Sequence, residues 1–152
     1  MAKKSKPNSV VAALNNVLAD YYILTLKTHG YHWNVEGPNF HGLHIMLEDQ
    51  YNMLFKTADE VAERLRALDE KAPASFAQFS KMSSIEEAET MPSTADGMLK
   101  NLIGDYKILC ENLEDGIELA DNASDADTTD LFTRILHDAN KNAWMLKATA
   151  KK

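Results

Sequence analysis

The chain has few of the features that mark secreted or membrane proteins. Its 152 residues contain a single cysteine, Cys110. This excludes an intrachain disulfide and fits a reducing compartment. No apolar run approaches the roughly 18 residues of a membrane-spanning helix, and no signal-like apolar segment is present. We therefore expect a cytoplasmic protein with no export signal and no membrane contact.

Several motifs and charge patterns are also missing. We find no phosphate-binding loop and no Ser-His-Asp signature, so nucleotide chemistry and acyl transfer have no support. Acidic residues outnumber basic ones by 23 to 16, for a net charge of −7. This balance disfavours a nucleic-acid surface spread over the body of the fold. A hydrophobic share of 45% is ordinary for a folded protein, and the length suits one domain.

The hydrophobic periodicity predicts four long helices and no strands, which is an all-α four-helix bundle. Residues 1–8 are polar and carry Lys3, Lys4 and Lys6, so they predict a flexible N-terminal arm. Residues 9–152 then form a single domain. Gly37-Pro38 ends the first long helix, and Asn39 is the predicted cap of the second.

A long crossover joins the second and third long helices. The pattern breaks from Ala72 to Pro92, and the capping-box sequence Ser84–Glu87 predicts a short extra helix there. Ser93 is predicted to open the third long helix, and Asp127 to cap the fourth. A four-helix bundle with one such connection is ferritin-like.

Histidines and carboxylates follow a spacing that indicates a metal site. His32 ends the first helical stripe, His44 and Glu48 lie one turn apart on the second helix, and Asp59 and Glu63 form another such pair. Imidazole and carboxylate together suit iron, zinc or manganese. Fifteen residues separate the pairs, about 22 Å along a helix, so one ion cannot bind both. If the four residues share a metal, a second, antiparallel copy of the helix must supply the other pair, which predicts a symmetric dimer.

Each of these residues also has a structural interpretation. A lone histidine on an apolar face is usually a satisfied core residue, and it is the combination with two carboxylate pairs that favours metal binding. Trp33 is most simply a packing residue beside the site, although an indole near a redox metal can be oxidised. His29 and His41 are predicted on other faces, as surface or supporting groups. Cys110 falls in the helical pattern and is predicted to be buried and inert.

An acidic stretch precedes and opens the fourth helix. From Glu111 to Asp130 there are eight carboxylates and no Lys or Arg. Such a run is often only a solvated helix end, and Asp127 and Asp130 also suit the helix dipole. Gathered by symmetry, the same charges would attract cations.

The motifs resemble the signature of the Dps family, the mini-ferritins named as DNA-binding proteins from starved cells. The resemblance covers roughly residues 9–150. It is carried by His32-Trp33-Asn34-Val35, Gly37-Pro38-Asn39-Phe40, Leu43-His44, Asp59-Glu60-x-Ala62-Glu63-Arg64 and Asp127-Thr128-Thr129-Asp130-Leu131.

The resemblance implies a hollow homododecamer, joined through two-fold and three-fold interfaces. By the same resemblance, such an assembly would oxidise Fe(II) with hydrogen peroxide or O2 and store ferric mineral, protecting DNA from oxidative damage. One subunit would supply His32, His44 and Glu48, and its partner Asp59 and Glu63. Position 48 is commonly Asp in the family and is Glu here. The implied pore residues are Asp121, Asp127 and Asp130, and the implied DNA contacts are Lys3, Lys4 and Lys6.

Two other classes of function stay open at this stage. One is a structural nucleoid protein that coats DNA through its lysine arm, which would show salt-dependent DNA retention lost on removing residues 1–7. The other is a metal-free helical scaffold whose histidines and acids pair only with each other. Iron-dependent oxidation kinetics would separate the scaffold from an iron oxidase. The short arm leads us to expect weak DNA association at most.

Overall fold

The computed structural model describes residues 7–150, which form four long helices and one short one and contain no strand. In chain order they are α1 (Val10–Asn34), α2 (Phe40–Ala67), α3 (Phe76–Met82), α4 (Ala95–Asn122) and α5 (Ala126–Thr149). The predicted all-α, ferritin-like four-helix bundle with a short helix in the crossover is confirmed. None of the helices in the described part of the chain has the length and apolarity needed to cross a membrane.

The core lies between the four long helices and is built from the predicted stripes. Buried positions recur every three or four residues along each helix, as in Leu14, Val17, Tyr21 and Leu24 of α1. Tyr106 and Phe132 bring their rings in from α4 and α5 without exposure to solvent. Fully burying an aliphatic or aromatic side chain of this kind contributes about 1.5–3 kcal/mol. The bundle therefore has ample apolar surface to bury.

Two predicted helix starts are wrong, and a third is right in position but lacks the side-chain hydrogen bond of a cap. α4 is capped by Thr94, whose hydroxyl accepts a hydrogen bond from Gly97 N at 3.1 Å, and not by Ser93. α5 is capped by Asp125, two residues before the predicted Asp127. Asn39 precedes α2 as predicted, but its side chain makes no capping hydrogen bond. At α4 and α5 a nearby residue of similar chemistry takes the cap in place of the predicted one.

The short helix also lies earlier in the crossover than predicted. It begins after Ser75, whose hydroxyl accepts from Gln78 N at 3.3 Å. Residues 84–87 are not helical. Their backbone is held instead by Asp20 of α1, which accepts from Ser84 N at 2.6 Å and from Ile85 N at 3.3 Å. A capping box there would need those N–H groups. Because they donate to the carboxylate of Asp20 instead, no helix begins at Ser84.

The carboxylate of Asp20 connects the crossover to the bundle through hydrogen bonds. Its Oδ2 accepts from Asn112 of α4 at 2.7 Å, and its Oδ1 also accepts from the Ser83 hydroxyl at 2.8 Å. Burial raises the pKa of this carboxyl, and the hydrogen bonds oppose that shift. A buried Lys27–Asp105 ion pair, 2.7 Å between Nζ and Oδ2, joins α1 to α4 further along. Together these contacts fix α1, which carries the candidate site.

Candidate metal centre

His32 and His44 face each other across the antiparallel pair α1 and α2. Their rings are stacked, with centroids 3.7 Å apart and planes 19° apart. The Nδ1 of each ring donates to the backbone carbonyl of the other residue, and both distances are 2.9 Å. These two bonds are reciprocal, so each histidine fixes the orientation of the other.

The reciprocal bonds determine which nitrogen is left to bind a metal. A carbonyl oxygen can only accept, so both Nδ1 atoms carry hydrogen and both Nε2 atoms of the neutral rings keep a lone pair. Metal-binding histidines are typically oriented in this way by a second hydrogen bond from the other ring nitrogen. His32 is 8% exposed, and His44 is half-buried. The donor set fits a transition metal.

The rings of His29, Trp33 and Tyr51 pack beside this pair of histidines. His29 stacks on Tyr51 with centroids 4.0 Å apart, and its other neighbour is Trp33 at 4.1 Å. Tyr51 also meets the ring of His32 edge-on at 5.3 Å. Burial lowers the pKa of His29, and the nearby charge of His32 adds to the effect.

His29 packs beside the pair, as the supporting alternative of the sequence analysis has it, and does not lie on a separate face. Its spacing of three from His32 and four from Trp33 was the available signal. Trp33 was predicted beside the site, but among the ring contacts of the described residues it meets the site only through His29. Its side chain is 61% exposed.

The three predicted acids lie on α2. Glu48 is half-buried one turn after His44, and Asp59 and Glu63 are exposed one turn apart. Within residues 7–150, no cationic side chain lies within ion-pair distance of Asp59 or Glu63. No three histidine, cysteine or carboxylate side chains of that range converge as a metal site. Within one chain, His32 and His44 therefore lie together, and Asp59 and Glu63 do not join them.

Known proteins share both the sequence and this fold. Residues 11–152 match the Ferritin family, a ferritin-like domain. The chain is 38% identical over 139 residues to DNA protection during starvation protein 2 of Bacillus anthracis, covering 91% of this chain and 94% of that protein. The crystal structure of Dps from Staphylococcus aureus superposes with a TM-score of 0.91 and 32% identity, covering 97% of this chain and 99% of that one. The chain belongs to the Dps family.

A third relative of this Dps protein is assigned to a wider superfamily. Dps from Vibrio cholerae O1, 34% identical with a TM-score of 0.89, is called a member of a broad superfamily of ferritin-like diiron-carboxylate proteins. The comparison covers 93% of this chain and 89% of that one. The predicted family and fold are therefore confirmed for this chain.

In the acidic region of this Dps protein, some carboxylates pair with an arginine and others do not. Arg64 of α2 donates to Asp125 at 2.7 Å and more weakly to Asp127 at 3.4 Å. Asp125, which pairs with Arg64 and accepts two hydrogen bonds from Thr128, was not among the predicted pore residues. Asp121 and Asp130 are exposed and make no ion pair with another described residue. The three predicted pore positions thus share one end of the bundle but not one environment.

The predicted DNA contacts, Lys3, Lys4 and Lys6, lie outside the described residues. Of the predicted arm, the structure describes only Pro7 and Asn8, which precede α1 and are not helical. Ser9 caps that helix by accepting a hydrogen bond from Ala12 N at 3.2 Å. The arm and its lysines therefore stay a prediction.

Proposed function

We propose that this protein oxidises Fe(II) with hydrogen peroxide, and more slowly with O2, at sites shared between two subunits. The ferric product is stored as mineral inside a hollow dodecamer in the cytoplasm, which keeps iron and peroxide away from DNA. In this proposal iron is a substrate and cargo. The ligands are His32, His44 and Glu48 of one chain and Asp59 and Glu63 of the other.

One observation carries the proposal. The reciprocal hydrogen bonds of His32 and His44 use both Nδ1 atoms, so the Nε2 atom of each stacked ring keeps its lone pair for a metal. A histidine pair built only for packing has no need to keep both Nε2 atoms without a hydrogen-bond partner. The acid pair supports the same conclusion, because Asp59 and Glu63 are exposed carboxylates without a cationic partner among the described residues.

The donor set explains why oxidation would be easy there. Neutral imidazoles hold ferrous iron, while hard carboxylate oxygens prefer the harder ferric ion, so the ligand set favours loss of an electron. Two ferrous ions give up one electron each. Hydrogen peroxide takes both as its O–O bond breaks, and with two protons its oxygens leave as two waters. A two-electron reduction of this kind avoids release of hydroxyl radical.

The sharpest test is anaerobic addition of Fe(II) followed by peroxide, watched by ultraviolet absorbance, with light scattering in parallel. We expect fast ferric absorbance, two irons oxidised per peroxide, and a particle near twelve times the 17.0 kDa chain mass. His32→Ala should abolish the fast phase. His41→Ala is the matched control, since His41 is exposed on the same helix as His44 and should leave the rate unchanged.

Equal rates for His32→Ala and the wild type would disprove the site. A stable monomer at micromolar concentration would disprove both the shared site and the shell. Binding of DNA through Lys3, Lys4 and Lys6 is the second candidate function. It is favoured by the basic arm and opposed by the net charge of −7 per chain.

A further inference from the structure

His29 and His32 lie side by side on α1, because three residues separate them along the helix. Their ring centroids are 6.0 Å apart, with the ring planes at 47°. A metal–nitrogen bond of about 2.0–2.1 Å places the centroids of two imidazoles that share one ion roughly 5–6 Å apart. The stacked rings of His32 and His44 are closer than this, at 3.7 Å. His29 and His32 therefore have the separation of two rings that bind one ion.

Aromatic contacts hold the ring of His29 in place. It stacks on Tyr51 with centroids 4.0 Å apart and contacts Trp33 at 4.1 Å. Within residues 7–150, neither ring nitrogen of His29 takes part in a hydrogen bond. A neutral imidazole keeps a lone pair on one nitrogen in either tautomer. Packing thus fixes this ring and leaves a nitrogen for a ligand.

The second nitrogen comes from His32. Its Nδ1 donates to the backbone carbonyl of His44 at 2.9 Å, so its Nε2 keeps the lone pair. A hydrogen bond from one ring nitrogen commonly orients a histidine whose other nitrogen binds a metal. Both rings of the pair are therefore held by contacts that do not use their free nitrogens.

His41 shows that the spacing alone does not make such a pair. It precedes His44 by three residues on α2, just as His29 precedes His32 on α1. However, His41 is exposed, and its ring contacts no other ring of the described residues. The contacts with Tyr51 and Trp33 distinguish His29 from it. The two histidines offer a matched comparison.

A site made of two imidazoles favours a different ion from the mixed iron ligands. No carboxylate or thiol of residues 7–150 joins His29 and His32 as a third ligand. Imidazole nitrogen suits Cu²⁺ and Zn²⁺, whereas carboxylate oxygen suits harder ions. For the same ligands, divalent ions bind more strongly along the series from Fe²⁺ to Cu²⁺. Nitrogen ligands without a carboxylate therefore select copper or zinc over ferrous iron.

We propose that His29 and His32 form a second metal site, which binds Cu²⁺ or Zn²⁺ and takes His32 away from iron. Water completes the coordination of the bound ion. The binding itself needs only the two rings of one chain. Its effect on iron oxidation rests on the proposed function, because His32 is one of the iron ligands there. Copper or zinc at this pair would therefore inhibit iron oxidation by competition.

Electron paramagnetic resonance of Cu²⁺ tests the pair, because splitting by ligand nitrogens counts the imidazoles on the ion. Substoichiometric Cu²⁺ is added to the metal-free full-length protein. We expect the pattern of two nitrogens in the wild type and of one nitrogen at most in His29→Phe. Phenylalanine keeps a ring against Tyr51 and Trp33 and removes only the nitrogens, and circular dichroism checks that the variant folds. His41→Phe is the matched control and should keep the wild-type pattern.

A double variant separates this site from the proposed iron site. Asp59→Ala with Glu63→Ala removes two iron ligands and leaves both histidines of the pair. We expect it to keep the two-nitrogen pattern and the copper affinity of the wild type, whereas His29→Phe should bind Cu²⁺ about tenfold more weakly or worse. Loss of the pattern in the double variant would place the copper at the iron ligands and overturn the inference.

Inhibition by Zn²⁺ tests the competition with iron. Peroxide-driven iron oxidation is measured at increasing Zn²⁺, and the rate of each protein is divided by its own rate without zinc. We expect His29→Phe to need about tenfold more Zn²⁺ than the wild type for the same inhibition. His41→Phe should respond like the wild type.

The possible failures point to different conclusions. A one-nitrogen pattern in the wild type, or an unchanged pattern in His29→Phe, would overturn the second site, while iron oxidation by the wild type would still support the proposed function. A two-nitrogen pattern in a protein that does not oxidise iron would support the second site and overturn the proposed function. Equal inhibition of the wild type and His29→Phe by Zn²⁺ would overturn the competition.

Discussion

The guanidinium of Arg64 lies 2.7 Å from the carboxylate of Asp125, and this ion pair joins α2 to the N-terminus of α5. The same carboxylate accepts hydrogen bonds from the backbone N and the hydroxyl of Thr128, at 3.0 and 2.6 Å. Burial alone would raise the pKa of Asp125, but the bonds from Thr128 and the charge of Arg64 outweigh it and lower the pKa. Asp125 is both the helix cap and a counter-ion.

We expect Asp125→Asn to lower the free energy of unfolding by about 1 kcal/mol at neutral pH, because the amide keeps a capping oxygen but loses the charge. The carboxylate contributes its full stability above an ordinary pKa of 3.8, and that stability is lost as the pH falls through the lower folded pKa. Wild type and variant should therefore converge in acid. Urea unfolding across this pH range measures the difference in free energy of unfolding between the two proteins. A difference that does not change with pH would contradict the contribution of the ion pair.

Gly116 of α4 marks a close approach of helices. A β-carbon there would lie 2.6 Å from Cε2 of Phe132 on α5. We expect Gly116→Ala to destabilise the bundle by about 1–3 kcal/mol through overpacking. Gly104→Ala on the same helix is the matched control, because nothing lies within 4 Å of its added carbon. It should stabilise by about 0.5–1 kcal/mol. Thermal unfolding of both variants gives the comparison, and equal shifts would refute the packing argument.

Mixed assemblies test whether the oxidation site is shared between chains. His32→Ala and Asp59→Ala should each lose fast oxidation alone. After the two variants are unfolded together and reassembled, roughly a quarter of the sites pair an intact histidine half with an intact acid half. Peroxide-driven oxidation should recover to about that fraction. No recovery despite subunit exchange, verified by mass spectrometry, would place both sets of ligands in one chain.

The acidic end of the bundle is expected to concentrate iron before oxidation. Changing Asp127 and Asp130 together to Asn should slow iron uptake, most clearly at low ionic strength where charges are least screened. Assembly should be intact, because Asp127 makes only a 3.4 Å ion pair and its side chain is 84% exposed. Glu114→Gln with Glu118→Gln removes the same charge from α4 as a control. If both pairs slow uptake equally, bulk charge and not a pore explains the effect.

DNA association should be weak and sensitive to salt. Twelve chains at −7 each carry about −84, which repels DNA. Screening over about 8–10 Å at physiological salt leads us to expect that a flexible lysine-bearing arm acts separately from the body. Several weak contacts by Lys3, Lys4 and Lys6 can add through multivalency. A gel shift at near-physiological salt, with and without residues 1–7, decides the matter. Tight retention at nanomolar protein that disappears with the arm would make DNA binding a main activity.

The sequence by itself determined the four long helices, and it predicted the residues of the candidate site. Apolar positions such as Leu14, Val17 and Tyr21 recur with the period of the helix, and this information lies within a few neighbouring residues. The spacing of the pairs His44–Glu48 and Asp59–Glu63 needs only the rise per residue. Such features are readable because secondary-structure geometry is local and regular.

The tertiary structure alone decided how distant residues compete for the same groups. Ser84 and Ile85 give their backbone N–H groups to Asp20, 64 and 65 residues earlier, and so form no helix. The carbonyls that orient His32 and His44 become available only where α1 and α2 meet. A hydrogen bond between remote residues depends on how the whole chain packs, and no local pattern records that packing.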